Sequence, residues 1–100
     1  MLVKEHQANG KLILAIADKE LINKKFIEKN KQLDLTTGFY KGEEKNRKEV
    51  LELINKSYIV NAVGEKIVSL LLKEKLISEE NIIYVCKVPH TQLVILREER

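Results

Sequence analysis

One hundred residues suit a single domain and leave little room for a second. Hydrophobic content of 44% and charged content of 33% exclude a disordered chain, and no apolar run nears the ~20 residues of a membrane span. The net charge of +3 permits an RNA partner without requiring one, since Lys+Arg 18 stand against Asp+Glu 15, and the single cysteine excludes an intramolecular disulfide.

Leu2 to Gln7 is expected as a strand, and Asn9-Gly10 as a hairpin turn, because both residues tolerate positive φ. Lys11 to Ala17 is the largely buried return strand. Asp18 then stands as the N-cap of a first helix running to about Lys29, with Leu21, Ile22 and Phe26 as its apolar stripe. Leu33-Asp34-Leu35 reads as a short strand, and Gly38 to Gly42 as a two-glycine loop. Asn46 with Glu49 has the form of a capping box, opening a second helix to about Lys56 with Val50, Leu51, Leu53 and Ile54 inward. Tyr58 to Val60 is a strand, Asn61-Ala62-Val63-Gly64 a tight turn, and Glu65 to Lys75 a third, broadly apolar helix. Ile82 to Val88 and Gln92 to Leu96 are strands divided by Pro89-His90, and a charged tail follows from Arg97. Cys86, inside an apolar run, reads as a buried structural thiol.

The expected architecture is α/β, in stricter usage α+β. One domain over residues 1–100 carries a mixed sheet and about three helices in the order ββα(β)αβαββ. Ser57 to Val88 forms a βαβ unit, parallel if both strands share a sheet.

Three polar clusters are candidates for function. Phe39 and Tyr40 beside Lys41, with Arg47 and Lys48 following, combine stacking rings with cations, the ingredients of single-strand RNA contact. The structural alternative is that one ring plugs the core and the other lids it. Asn61, Gly64 and Lys66 stand where a turn feeds a helix N-terminus, a geometry suited to an anion. Equally, Gly64 supplies an unusual φ, Asn61 bonds its own turn, and Glu65 opposes a bound anion. His90 and Gln92 offer an imidazole and an amide, and would join the NAVG turn in a small-ligand site if the two segments share a cleft. Neither a GxGxxG pattern nor a P-loop occurs, and His6 and His90 alone supply too few donors for a metal. No cofactor, metal or catalytic residue is therefore expected.

The runs GFYKGEE (Gly38 to Glu44), NAVGEKIV (Asn61 to Val68) and VPHTQLV (Val88 to Val94), with the KLILAIADKEL opening from Lys11, resemble the small archaeal family of unknown function called DUF424. The resemblance spans essentially the whole chain. It implies a stand-alone domain in an archaeal cytoplasm, supplies no catalytic residues, and suggests a translation setting by association alone. The expected function is a non-enzymatic binding protein that contacts RNA or a ribonucleoprotein through the Gly38–Gly42 loop. The alternatives are a protein-interaction adaptor or homodimer, and a small enzyme or ligand-binding domain using the NAVG turn and His90. No membrane partner is expected.

Overall fold

Residues 1–95 are described in the computed structural model, so Leu96 and the charged tail lie outside the described residues. Strands β1 (Leu2–Ala8) and β2 (Lys11–Ala17) form the expected hairpin. Asn9 and Gly10 adopt φ 53° and 75°, the left-handed pair that a two-residue turn demands. This turn fixes the register, so Ala8 faces Lys11 and Val3 faces Ile16.

The helix expected over 18–29 is replaced by a single 3-10 turn at Lys19–Leu21 and a separate hairpin, β3 (Lys25–Glu28) and β4 (Lys31–Asp34). Asn23 at φ 69° breaks any helix, and its N–H donates to the Leu35 carbonyl. Leu21, Ile22 and Phe26 still turn inward. Their spacing of one and four residues is met as well by a turn followed by a strand as by one helical face.

Strand β5 (Glu43–Glu44) flanks β1. Gly42 is required there, since a Cβ would lie 1.9 Å from the Val3 carbonyl oxygen. Helix α1 (Arg47–Lys56) starts on the predicted capping box: the Asn46 side chain accepts from the Glu49 N–H at 2.8 Å, and the Glu49 carboxylate accepts from the Asn46 N–H at 2.9 Å. Strand β6 (Ile59–Val63), helix α2 (Glu65–Lys73), and strands β7 (Ile83–Val85) and β8 (Val88–Val94) follow. Cys86 is exposed rather than buried. With Lys87 it forms the β7–β8 turn, at φ 51° and 67°, so the apolar run around it is two strands and not one. Pro89 and His90 lie inside β8 instead of dividing two strands.

The main sheet has the order β5-β1-β2-β6-β8-β7. β2 and β6 are parallel, and the other neighbouring pairs are antiparallel. β7 therefore runs parallel to β6 in the same sheet, with β8 inserted between them. Among the described residues no helix is long and apolar enough to cross a membrane.

Strand alternation gives the sheet two unlike faces. On one, Val3, Leu14, Ile16, Val60 and Ala62 pack under Val50 and Ile54 of α1 and Ile67, Val68, Leu70 and Leu71 of α2. Each such fully buried aliphatic contributes on the order of 1.5–3 kcal/mol. On the other, Ala17, Val63 and Val85 pack under Leu33 of β4 and Leu35 just after it. This second core covers only one end of its face.

Candidate functional site

The start of α2 sits at the adjacent ends of the parallel strands β2 and β6. Gly64 occupies its cap position at φ 121° and has no side chain to offer. Asp18, at the end of β2, takes that role from 48 residues away: its carboxylate accepts from the Lys66 N–H at 2.8 Å and the Ile67 N–H at 3.0 Å. A Cβ on residue 64 would lie 2.3 Å from the Asp18 Cγ, so glycine is needed for this approach as well as for its φ. Burial outweighs the two amide bonds and lifts the Asp18 pKa above its ordinary 3.8. The Gly64 N–H donates to the Pro89 carbonyl at 2.9 Å. The NAVG and Pro89-His90 segments thus meet, with Val63 opposite His90, but the position an external anion would take is filled by Asp18.

His90 shares its face with Val63 and Ile83, toward the β3–β4 hairpin. Burial first, and then the Lys31 ammonium, hold its pKa below the ordinary value, so it rests neutral. Tyr40 joins the second core, and burial pushes its phenol up to about 12. Phe39 meets the Tyr40 ring edge-on, with centroids 5.1 Å apart, but lies nearer the surface. It is 39% exposed and stacks on His6 with ring centroids 4.5 Å apart, while the His6 Nε2 lies 3.0 Å from the Phe39 carbonyl oxygen. Lys41 is exposed just beyond.

The stack stands beside the uncovered end of the sheet. The register lays out two cross-strand rows there: Lys4, Ala15, Asn61, Gln92 at its margin, where Ala15 is fully buried, and then the more open His6, Ile13, Ile59, Val94. Ile13 and Ile59 join neither core, and Val94 is 49% exposed. Asn61 and Gln92 are direct partners, so their amides stand side by side. Lys11 closes this end with its ammonium 4.2 Å from the Tyr58 ring centroid. Alternation places no Asp or Glu on this face of β1, β2, β6 or β8; the one acid of these strands, Glu5, faces the other way with Val3.

Arg47 and Lys66, candidates from two different sequence clusters, come together on the opposite, helix-bearing side. They line a cleft of about 640 Å³ between the starts of α1 and α2. Lys48 is exposed on α1 and does not line that cleft. Among the described residues no three His, Cys, Asp or Glu side chains converge as a metal donor set.

A family model described as a protein of unknown function, DUF424, matches residues 6–96. The chain belongs to the DUF424 family. It is also similar to an uncharacterized conserved protein from Methanopyrus kandleri, known from a crystal structure. That protein is 26% identical, with 99% of this chain and 94% of the other covered and a TM-score of 0.80. No curated protein matches the chain.

The DUF424 domain thus divides the sequence candidates into three groups. Phe39, Lys41, Asn61 and Gln92 border the open sheet face, Arg47 and Lys66 line the cleft, and Tyr40, Gly64 and His90 serve the fold, while Lys48, exposed on α1, joins none of them. Lys4, His6, Lys11, Ile13, Ile59 and Val94 belong to the open face and were not singled out from the sequence. A signal for four of them existed. The Asn9-Gly10 turn pairs Ala8 with Lys11, which puts His6 opposite Ile13 and Lys4 opposite Ala15, all on the face that Val3 avoids.

Proposed function

We propose that this protein is a non-enzymatic binding module whose open sheet face takes single-stranded RNA, free or within a ribonucleoprotein of the translation apparatus. One observation carries the reading: a half-uncovered sheet face bears stacked rings, paired amides and lysines, with no carboxylate from β1, β2, β6 or β8, while Glu44 of edge strand β5, in register with Leu2 on this face, is held by Lys19. Exposed Phe39 on its His6 backing offers a platform for a base, at about 1–3 kcal/mol per stacked base. Ile13, Ile59 and Val94 supply apolar contact for further bases. Asn61 and Gln92 present donors and acceptors at the height of base edges. Lys4, Lys11 and Lys41 lie where the phosphates of such a strand would run.

Fluorescence anisotropy with a labelled single-stranded RNA tests this. Three phosphate contacts predict that log K falls with log salt at a slope of about −2. Phe39→Ala should weaken binding by about tenfold, and Lys4→Glu and Lys41→Glu should each flatten the salt slope. Binding that ignores salt, or that survives Phe39→Ala and Lys4→Glu together, sinks the reading. Equal affinity for DNA of the same sequence would remove RNA from it. Capture from a lysate, with and without nuclease, separates free RNA from a ribonucleoprotein.

Self-association through the β7 edge has weaker support. Ile83 and Tyr84 are each 50% exposed there. The edge is nevertheless blunted, because the Tyr84 carbonyl accepts from Lys31 at 3.1 Å and the Cys86 N–H donates to Glu28 at 2.8 Å.

A further inference from the structure

The cleft between the starts of α1 and α2 is independent of the open sheet face, since it lies on the other side of the sheet. We propose that it binds a small, elongated, multiply phosphorylated molecule. Its volume of about 640 Å³ is that of a small-molecule site. Lys45 and Arg47 contribute from the β5–α1 side, and Lys66, Ser69 and Lys73 from α2. The α2 residues stand at i, i+3 and i+7, so they share one helix face. Lys66 and Lys73 are about 10 Å apart along the axis at 1.5 Å per residue, too far for one phosphate group to meet both.

The charges are unequally matched. Lys45 pairs with Glu43 at 3.5 Å and Lys66 reaches Glu20 at 4.0 Å; of the two lining carboxylates, Glu44 is held by Lys19 at 3.2 Å, and exposed Glu65 opposes an anion at the α2 end, so Arg47 and Lys73 must outweigh it. Arg47 and Lys73 have no ion-pair partner among the described residues. Both helix starts are already capped, α1 by Asn46 and Glu49 and α2 by Asp18, so recognition falls to these side chains rather than to backbone amides. Arg47 brings a planar fork that matches two phosphate oxygens, and Lys73 a point charge at the far end. Met1 and Leu70 are the apolar residues of the lining, and the aliphatic stems of the lysines extend that surface beneath their charges.

The experiment is a titration of the full chain, isotope-labelled for amide NMR, with inorganic tripolyphosphate. Saturating shifts confined to the amides around Asn46–Arg47 and Lys66–Lys73 are expected. Replacing Arg47→Gln and Lys73→Gln together should weaken binding by about tenfold or more, the loss of charge-assisted contacts. Arg47→Lys, which keeps the charge and loses the fork, should fall between. Lys24→Gln, exposed just before β3 and away from the cleft, should bind as the parent does. These residues are exposed and the capping box is left intact, so amide dispersion of each variant reports a preserved fold. The proposal is overturned if the shifts spread without saturation over every lysine-bearing surface, or if the double variant binds as tightly as the parent. Citrate binding as tightly as tripolyphosphate overturns the assignment to phosphate.

Discussion

The two α-helices begin in opposite ways. α1 carries its cap within its own first turn, Asn46 and Glu49 exchanging hydrogen bonds across three residues. α2 begins on a glycine and borrows a carboxylate from the end of β2. The first is a local device that any isolated segment could form. The second exists only when β2 and β6 lie side by side, so it ties helix formation to sheet formation. The difference also decides which N-terminus is open to ligands: neither is, for two unlike reasons.

The contrast can be broken by substitution. Gly64→Ala should cost most, about 3–4 kcal/mol in chemical denaturation, because it combines a strained φ with a side chain driven into Asp18. Asp18→Ala should cost about 2–3 kcal/mol by leaving the Lys66 and Ile67 amides without an acceptor, and should speed hydrogen exchange at those two amides. The two changes together should cost less than their sum, since Asp18→Ala removes the clashing Cγ and Oδ2, although its Cβ at 2.7 Å stays; strict additivity would refute the account. Asn46→Ala should cost only about 1 kcal/mol and leave exchange in α2 unchanged.

The smallest effect is a pH dependence. Folded Asp18 holds its proton to higher pH than its unfolded counterpart, so in the window just above 3.8 the folded chain binds more protons. Stability therefore falls as pH rises through that window. Compared with the non-titrating Asp18→Asn, the parent should gain relative stability on acidification from neutral pH. A relative loss would show that the amide bonds, and not burial, dominate its ionisation.

The same contrast explains what the sequence disclosed. The Asn9-Gly10 turn and the Asn46–Glu49 box depend on neighbours a few residues away, and both are found where expected. The tight turn expected at Asn61–Gly64 is not, because Asn61, Ala62 and Val63 pair as part of β6 and Gly64 alone turns the chain into α2. Asp18 was read correctly as a cap but attached to the wrong helix, because residues 19–29 offered a nearby stripe whereas its true partner is 48 residues on. Cys86 misled for a related reason. Its apolar neighbours belong to two strands, and a left-handed turn without glycine leaves no compositional mark. The candidate site was legible as residue types but not as a grouping. Phe39, Asn61 and Gln92 come from distant segments, and only strand register puts them along one face.

The remote cap also bears on the order of events during folding. Closing a loop of 48 residues carries an entropic cost that a three-residue contact does not. α1 can form early on its own box, and the β1–β2 hairpin on its own turn. The first turn of α2 must wait until the chain has brought β6 against β2. Its consolidation would then lie on the native side of the rate-limiting barrier, and changes at Asp18 would appear mainly in the unfolding rate.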